Sequence, residues 1–206
     1  MKTGGKANKG IDVAKIEQLE AHLAEAEAEN AVLRLQLDML TSTDIVTGLP
    51  NANGIIEQLQ KAGARYSRSG EAFGVMFVGF PAFERIVEER GRRDVEDAMR
   101  HAGALVGACL RQIDTVGRVD DDGLVCVMPM MGDDGVSPVV HRVEKVLNSS
   151  PMVFEDGDEI NLVPAFTVVV ARAAGRVDPP SMMKALIEAR PGAAPGTPVI
   201  RYASSS

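Results

Sequence analysis

Between Ile16 and Leu40 the series Ile16, Leu19, Leu23, Ala26, Asn30, Leu33, Leu37, Leu40 alternates intervals of three and four residues without a break. An apolar seven-residue repeat of this kind calls for a long α-helix that buries a narrow a/d stripe against another helix. The residues between are largely Glu, Ala, Gln, Lys and Arg, all good helix formers. A helix packed on its own domain would show a wider apolar face. The pattern therefore predicts a coiled coil over residues 11–41. Asn30 falls at an a position, where a buried Asn pairs with its twin across a parallel two-stranded coil and fixes register at a cost in stability. Glu29 at g then faces Arg34 at e of the second copy, and His22 and Glu27 are placed likewise. The expectation is a parallel homodimer through Ile16–Leu40. Residues 1–10 are polar and Gly-rich and are expected to be disordered.

The chain of 206 residues has room for one ordinary domain beyond this helix. A net charge of −7 argues against a broad nucleic-acid-binding surface. Cys109 and Cys126 lie in apolar segments and form no Cys-x-x-Cys, so they read as buried thiols in a reducing compartment. Lys2, Lys6 and Lys9 are followed by no apolar run, which speaks against a signal peptide, and no run approaches a membrane span. The expected location is the cytoplasm, with no nucleic-acid or membrane partner.

After Thr41-Ser42-Thr43-Asp44 the hydrophobic period changes. Ile55, Ile56, Leu59, Ala62 and Tyr66 form one helix face. Phe73–Phe80 is an apolar run bounded by Gly70 and Pro81 and predicts a buried strand. A helix with Phe83, Ile86 and Val87 on one face follows, then a longer one marked by Val95, Ala98, Met99, Ala102, Leu105, Val106, Cys109, Leu110 and Ile113. Thr115–Val119 and Leu124–Met128 predict a hairpin around an Asp-Gly turn. Ser137-Pro138 reads as a helix start. Met152–Phe154 and Ile160–Val163 predict a second hairpin, Ala165–Ala171 a buried strand, Ser181–Arg190 a last helix, and Pro198–Tyr202 an edge strand. Together these predict an α/β domain over residues 42–202, with a mixed, largely antiparallel sheet flanked by helices, and a frayed tail at 203–206.

Two stretches carry chemistry. Arg118-Val119-Asp120-Asp121-Asp122-Gly123-Leu124 sits at the hairpin, and Arg111 and Asp114 stand three residues apart just before it. From the residues alone this is a surface hairpin with an acidic tip beside an i, i+3 ion pair. The hairpin also resembles the Arg-x-Gly-Gly-Asp/Glu-Glu-Phe signature of GGDEF domains, the family of diguanylate cyclases and their inactive relatives. Asp44-Ile-Val-Thr47-Gly48-Leu49-Pro50-Asn51 resembles that family's opening motif Asp-x-Leu-Thr-Gly-Leu-x-Asn. Ser181–Arg190 resembles its last helix. The resemblance spans roughly Thr43 to Arg190 and implies a fold akin to the palm of nucleotidyl cyclases.

The resemblance also says what has been lost. Joining two GTP molecules requires Mg²⁺ held by carboxylates. Aligned on Phe83 and Ile86, the family's first-strand metal ligand is Gly79, its Lys is Glu84, and its guanine-reading Asn is Val87, while Glu96 keeps an acid. In the signature the two glycines are Asp120 and Asp121, and the metal-ligating Glu is Gly123, so that Asp122 alone keeps an acidic position. Met183 and Ile187 replace an Asp and a Tyr of the last helix, whereas Arg190 keeps a cation. No catalytic residue and no metal ligand is therefore assigned. Three consecutive carboxylates at a turn are expected to be a solvated tip.

What is kept is Arg111-Gln-Ile-Asp114, followed by five residues and then Asp120, the spacing of the family's inhibitory Arg-x-x-Asp site. The resemblance implies that Arg111 and Asp114 bind cyclic di-GMP. A guanidinium suits the O6/N7 edge of guanine, and a carboxylate accepts from its N–H groups. The leading expectation is a dimeric, non-catalytic cyclic di-GMP receptor acting on a protein partner. The alternative is a ligand-independent scaffold, and an active cyclase ranks last.

Overall fold

The computed structural model describes residues 13–172 and 178–203. The disordered start expected at 1–10 and the tail beyond Ala203 lie outside them. The chain divides at Leu40/Thr41 into two units.

The first unit is the helix α1 (Val13–Leu40). Ile16, Leu19, Leu23 and Leu33 of the predicted seam are all at least 41% exposed. Asn30 turns its side-chain amide back to the Ala26 carbonyl at 2.9 Å.

In the second unit helices cover both faces of a five-stranded sheet. Its elements are α2 (Ala52–Ser69), β1 (Phe73–Gly79), α3 (Ala82–Arg90), α4 (Arg92–Cys109), β2 (Thr115–Arg118) and β3 (Gly123–Pro129). They continue with α5 (Asp133–Asn148), β4 (Met152–Val153), β5 (Glu159–Ile160), β6 (Ala165–Ala171), α6 (Pro179–Ala189) and β7 (Val199–Tyr202). The strand order is β2-β3-β1-β6-β7, antiparallel except for the parallel β6–β7 pair, and β4–β5 is a separate hairpin.

Period-two alternation sends strand side chains to opposite faces. Met76, Val78, Leu124, Cys126, Val168 and Val170 pack under α3, α4 and α5. Val75, Phe77, Val125, Val127, Val169 and Ala171 pack under α2 and α6. Both faces are covered, so β1 and β6 read as unbroken apolar runs, buried at every position.

Several boundaries differ from the sequence-based expectation. Helix α4 ends at Cys109, with Leu110 already extended as its cap, so Ile113 is exposed on a turn rather than on a helix face. Val87 also faces outward. Helix α5 starts at Asp133, and Pro138 lies inside it instead of opening it. The tip of the β2–β3 hairpin is the four-residue loop Val119–Asp122, with Gly123 already in the strand. Ala203, placed in the frayed tail, donates its N–H to the Val170 carbonyl at 2.9 Å.

Candidate functional site

The opening motif holds one edge of the sheet. Asp44 accepts from the Thr47 backbone N–H at 2.8 Å and the Thr47 hydroxyl at 2.6 Å. Gly48 takes φ +70, which favours glycine. Asn51 caps α2 through the Gly54 N–H at 3.1 Å and donates to the Thr41 carbonyl at 3.0 Å. The turn then grips β2, where Arg118 N–H donates to the Pro50 carbonyl at 2.8 Å. The Arg118 guanidinium lies 3.6 Å from the Asp44 carboxylate and 2.8 Å from that of Asp121. The signature hairpin is thus pinned at its base.

Two cavities flank this hairpin. The first lies at the end of β1, where the register sets Gly79 between Gly123 and Ala165. It encloses about 500 Å³ and is lined by Phe77, Gly79, Phe80, Asp122, Ile187 and Arg190 among others. No carboxylate projects from position 79 or 123, and the Phe77 ring occupies the space beside both. A Cβ on Gly79 would come 2.7 Å from that ring. One on Gly123 would come 2.4 Å from it and 2.7 Å from the Val78 carbonyl oxygen. The Arg190 guanidinium stacks over Phe77, 3.8 Å from the ring centroid. It also binds Asp122 at 2.9 and 3.0 Å and pairs with Asp120. The expected solvated tip is therefore divided: Asp120 and Asp122 turn back to Arg190, and Asp121 to Arg118. The family's divalent cations do not fit these residues. Gly79 and Gly123, which the resemblance sets at the two ligand positions, face an aromatic ring, and a guanidinium already pairs with Asp120 and Asp122. No group of three or more Asp, Glu, His or Cys side chains among the described residues could hold an ion.

The second cavity lies on the other side of β2–β3, between the turn after α4 and the start of α5. It encloses about 340 Å³ and is lined by Arg111, Asp114, Met130, Met131, Asp134 and Arg142 among others. The turn is fixed locally. Asp114 Oδ2 accepts from the Arg111 backbone N–H at 2.8 Å, and the Asp114 N–H returns to the Arg111 carbonyl at 2.9 Å. The expected i, i+3 side-chain ion pair is not what forms; the carboxylate orders the backbone instead, and the Arg111 side chain is exposed. Arg142 was not singled out from the sequence. It reaches the cavity from α5 and anchors through Nε to the Cys109 carbonyl at 2.7 Å. Its signal was its one-turn spacing from Val139 on the helix face beside the cavity, legible only with the fold in hand. Burial raises the pKa of the Cys109 and Cys126 thiols, and the Cys109 thiol donates to the Arg142 backbone carbonyl in α5 at 3.9 Å.

A mostly antiparallel sheet with helices on both faces, and a β-hairpin whose tip meets the end of the central strand where the Phe80 N–H donates to the Asp122 carbonyl at 2.8 Å, makes a palm-like α/β domain. The family profile described as "Diguanylate cyclase, GGDEF domain" matches residues 41–185, more than half of the chain. The chain belongs to the GGDEF family. Among solved structures, it resembles the GGDEF domain of TpbB (YfiN) from Pseudomonas aeruginosa, with a TM-score of 0.68 at 18% identity over 77% of this chain and 93% of that one. The coiled coil and GGDEF domain of DgcB from Caulobacter crescentus, in complex with c-di-GMP, matches with a TM-score of 0.66 at 18% identity over 90% of this chain and 99% of that one. Diguanylate cyclase SiaD of Pseudomonas aeruginosa, in complex with its activator SiaC, matches with a TM-score of 0.65 at 18% identity, covering 93% of this chain and 73% of that one. These likenesses are of fold. No described helix is long and apolar enough to cross a membrane.

Proposed function

We propose that this GGDEF protein is a non-catalytic cyclic di-GMP receptor that binds the dinucleotide at Arg111 and Asp114 and passes the signal to a protein partner. The observation that carries the reading is the contrast between its two cavities. At the end of β1 the positions of the metal ligands are Gly79 and Gly123, Phe77 fills the space beside them, and Arg190 neutralises Asp120 and Asp122. Beside β2 the cavity has two guanidinium groups, Arg111 and Arg142, and two carboxylates, Asp114 and Asp134. Guanine offers acceptors at O6 and N7 and donors at its N1–H and N2–H₂, so each base has a use for one of each. That complement supports two guanines of an intercalated dinucleotide pair. The DgcB structure holds c-di-GMP, and SiaD is bound to a protein activator.

The exposed seam of α1 supports a parallel homodimer through Ile16–Leu40, degenerate signature and coiled coil together making a cytoplasmic receptor whose two domains a shared ligand cross-links. A second reading is a ligand-independent scaffold. It is favoured by the apolar cavity of about 640 Å³ between α2 and α6, lined by Ile56, Pro179, Pro180, Met183 and Ile187 among others. The test is direct. Incubation with GTP and Mg²⁺ or Mn²⁺ yields no cyclic di-GMP, and added cyclic di-GMP raises the melting temperature of wild type but not of Arg111→Ala. Turnover abolished by Asp122→Ala refutes the non-catalytic reading. No stabilisation of wild type at high micromolar ligand leaves the scaffold.

A further inference from the structure

We propose that Met130 is a binding residue of the Arg111 cavity, turned outward by its backbone so that a purine base packs on its thioether; the inference rests on reading that cavity as a cyclic di-GMP site. Among the described residues Met130 is the one non-glycine with positive φ, at 56°. Glycine adopts this conformation without cost, whereas an L-residue is strained there. The two neighbouring side chains part at this turn. Met131 points inward, 5% exposed, where a Cβ on Gly74 would lie 2.9 Å from its Cγ and one on Gly135 would lie 2.6 Å from its sulfur. Met130 is left 57% exposed at the cavity wall. Burying Met131 requires the turn but does not require a side chain at position 130, since glycine would make the same turn unstrained.

A strained non-glycine residue beside a ligand cavity points to a use for its side chain. The polar side chains of this cavity answer the edges of a base: Arg111 and Arg142 its acceptors, Asp114 and Asp134 its donors. With their hydrogen-bonding groups aimed at the edges, these side chains leave a π-face to be covered by an apolar neighbour. A methionine suits it, because its polarizable sulfur contacts aromatic rings favourably and its unbranched chain adapts to their position.

The test compares wild type, Met130→Gly and Met130→Leu by thermal melting and by calorimetric titration with cyclic di-GMP. Met130→Gly is expected to melt at or above the wild-type temperature, because the strain is relieved. It is also expected to bind about three- to tenfold more weakly. Met130→Leu, which keeps an apolar side chain, retains most of the affinity. Affinity and stability moving in opposite directions is the signature that a purely structural role would not give. If Met130→Gly binds as tightly as wild type, or loses melting temperature and affinity together, the inference fails and the receptor reading stands. If Leu binds as weakly as Gly, the apolar-face argument fails. If wild type does not bind at all, both fall.

Discussion

Replacing Gly79 by alanine adds one methyl group to a central strand, and the structure says what that methyl meets. Its three nearest atoms, at 2.7, 3.5 and 3.6 Å, all belong to the Phe77 ring. Phe77 is 5% exposed and sandwiched under Arg190, so the ring has little room to yield. Overpacking of this kind costs about 1–3 kcal/mol. Alanine recovers about 0.5–1 kcal/mol over glycine in a strand interior. Gly79→Ala is therefore expected to destabilise by about 0–2.5 kcal/mol, so its dependence on Phe77 is the sharper reading than its size. In a Phe77→Ala background the obstacle is gone, and the same substitution should be neutral or stabilising, whatever Phe77→Ala itself costs. The coupling energy of the cycle is then about 1–3 kcal/mol, well above the few tenths expected for independent sites. Gly123→Ala behaves differently. Its Cβ also meets the Val78 carbonyl oxygen at 2.7 Å, a backbone atom that Phe77→Ala does not move. It should destabilise in both backgrounds. Urea denaturation of the six proteins, read as midpoint shifts at constant m, measures all of this. A Gly79→Ala effect that is the same with and without Phe77 refutes the claim that the ring fills the space a side chain at position 79 would need. If the claim holds, restoring Asp at 79 and Glu at 123 alone does not rebuild a cyclase.

Arg190→Ala removes a guanidinium, 23% exposed, that stacks on Phe77 and holds Asp120 and Asp122. With both partners largely solvated, the loss is expected to be about 1–2 kcal/mol, and Arg190→Lys recovers part of it. A chain starting at Thr41 keeps the Thr41 and Ser42 carbonyls that bind Asn51 and should be a folded monomer by sedimentation, whereas the full chain is a dimer; a dimer without residues 1–40 and without ligand contradicts the seam. Asn30→Leu should raise coiled-coil stability while loosening oligomer specificity, read as a spread of species at equal concentration. The Asp156 carboxylate is held below its usual pKa, first by its hydrogen bond to Arg90. A depressed folded pKa means stability fully present above the unfolded value of about 3.9 and lost as pH falls through the lower folded one. Asp156→Asn should therefore flatten the acid limb of the stability curve below about pH 4 and leave the neutral limb's shape unchanged; an unaltered acid limb refutes the pairing.

The sheet was legible because both its faces are buried. Phe73–Phe80 and Ala165–Ala171 stand out as apolar runs bounded by turn residues, and the structure places β1 and β6 there. The start of α5 was misread because Ser137-Pro138 has the form of a cap. Asp133 and Asp134 were the better signal, two acids suited to the positive end of the helix dipole. Arg111 and Asp114 could be singled out since they lie within one turn. Their physical relation could not, because whether a carboxylate meets a guanidinium or a backbone N–H depends on where α4 ends. Arg142 was legible only with the fold in hand, and Arg190, a kept cation at the end of the last helix, gave no sign of its partners. Arg190 lies 70 residues from Asp120, and only the strand register brings Gly79, Gly123 and Phe77 into one plug. The resemblance supplies which positions to compare, and packing shows what a side chain at positions 79 and 123 would meet.

The central claim is that the Arg111 cavity, and not the end of β1, is where this protein meets a nucleotide. Calorimetric titration of the full chain with cyclic di-GMP, repeated on Arg111→Ala and Arg111→Lys, tests it most directly. The account predicts binding by wild type with about two ligands per site. Losing the paired, charge-assisted hydrogen bonds of the guanidinium should weaken Arg111→Ala by about ten- to a hundredfold, or about 1–3 kcal/mol. Arg111→Lys should recover little, because an ammonium lacks the planar fork. Wild-type binding that Arg111→Ala leaves untouched would place the ligand elsewhere and contradict the account.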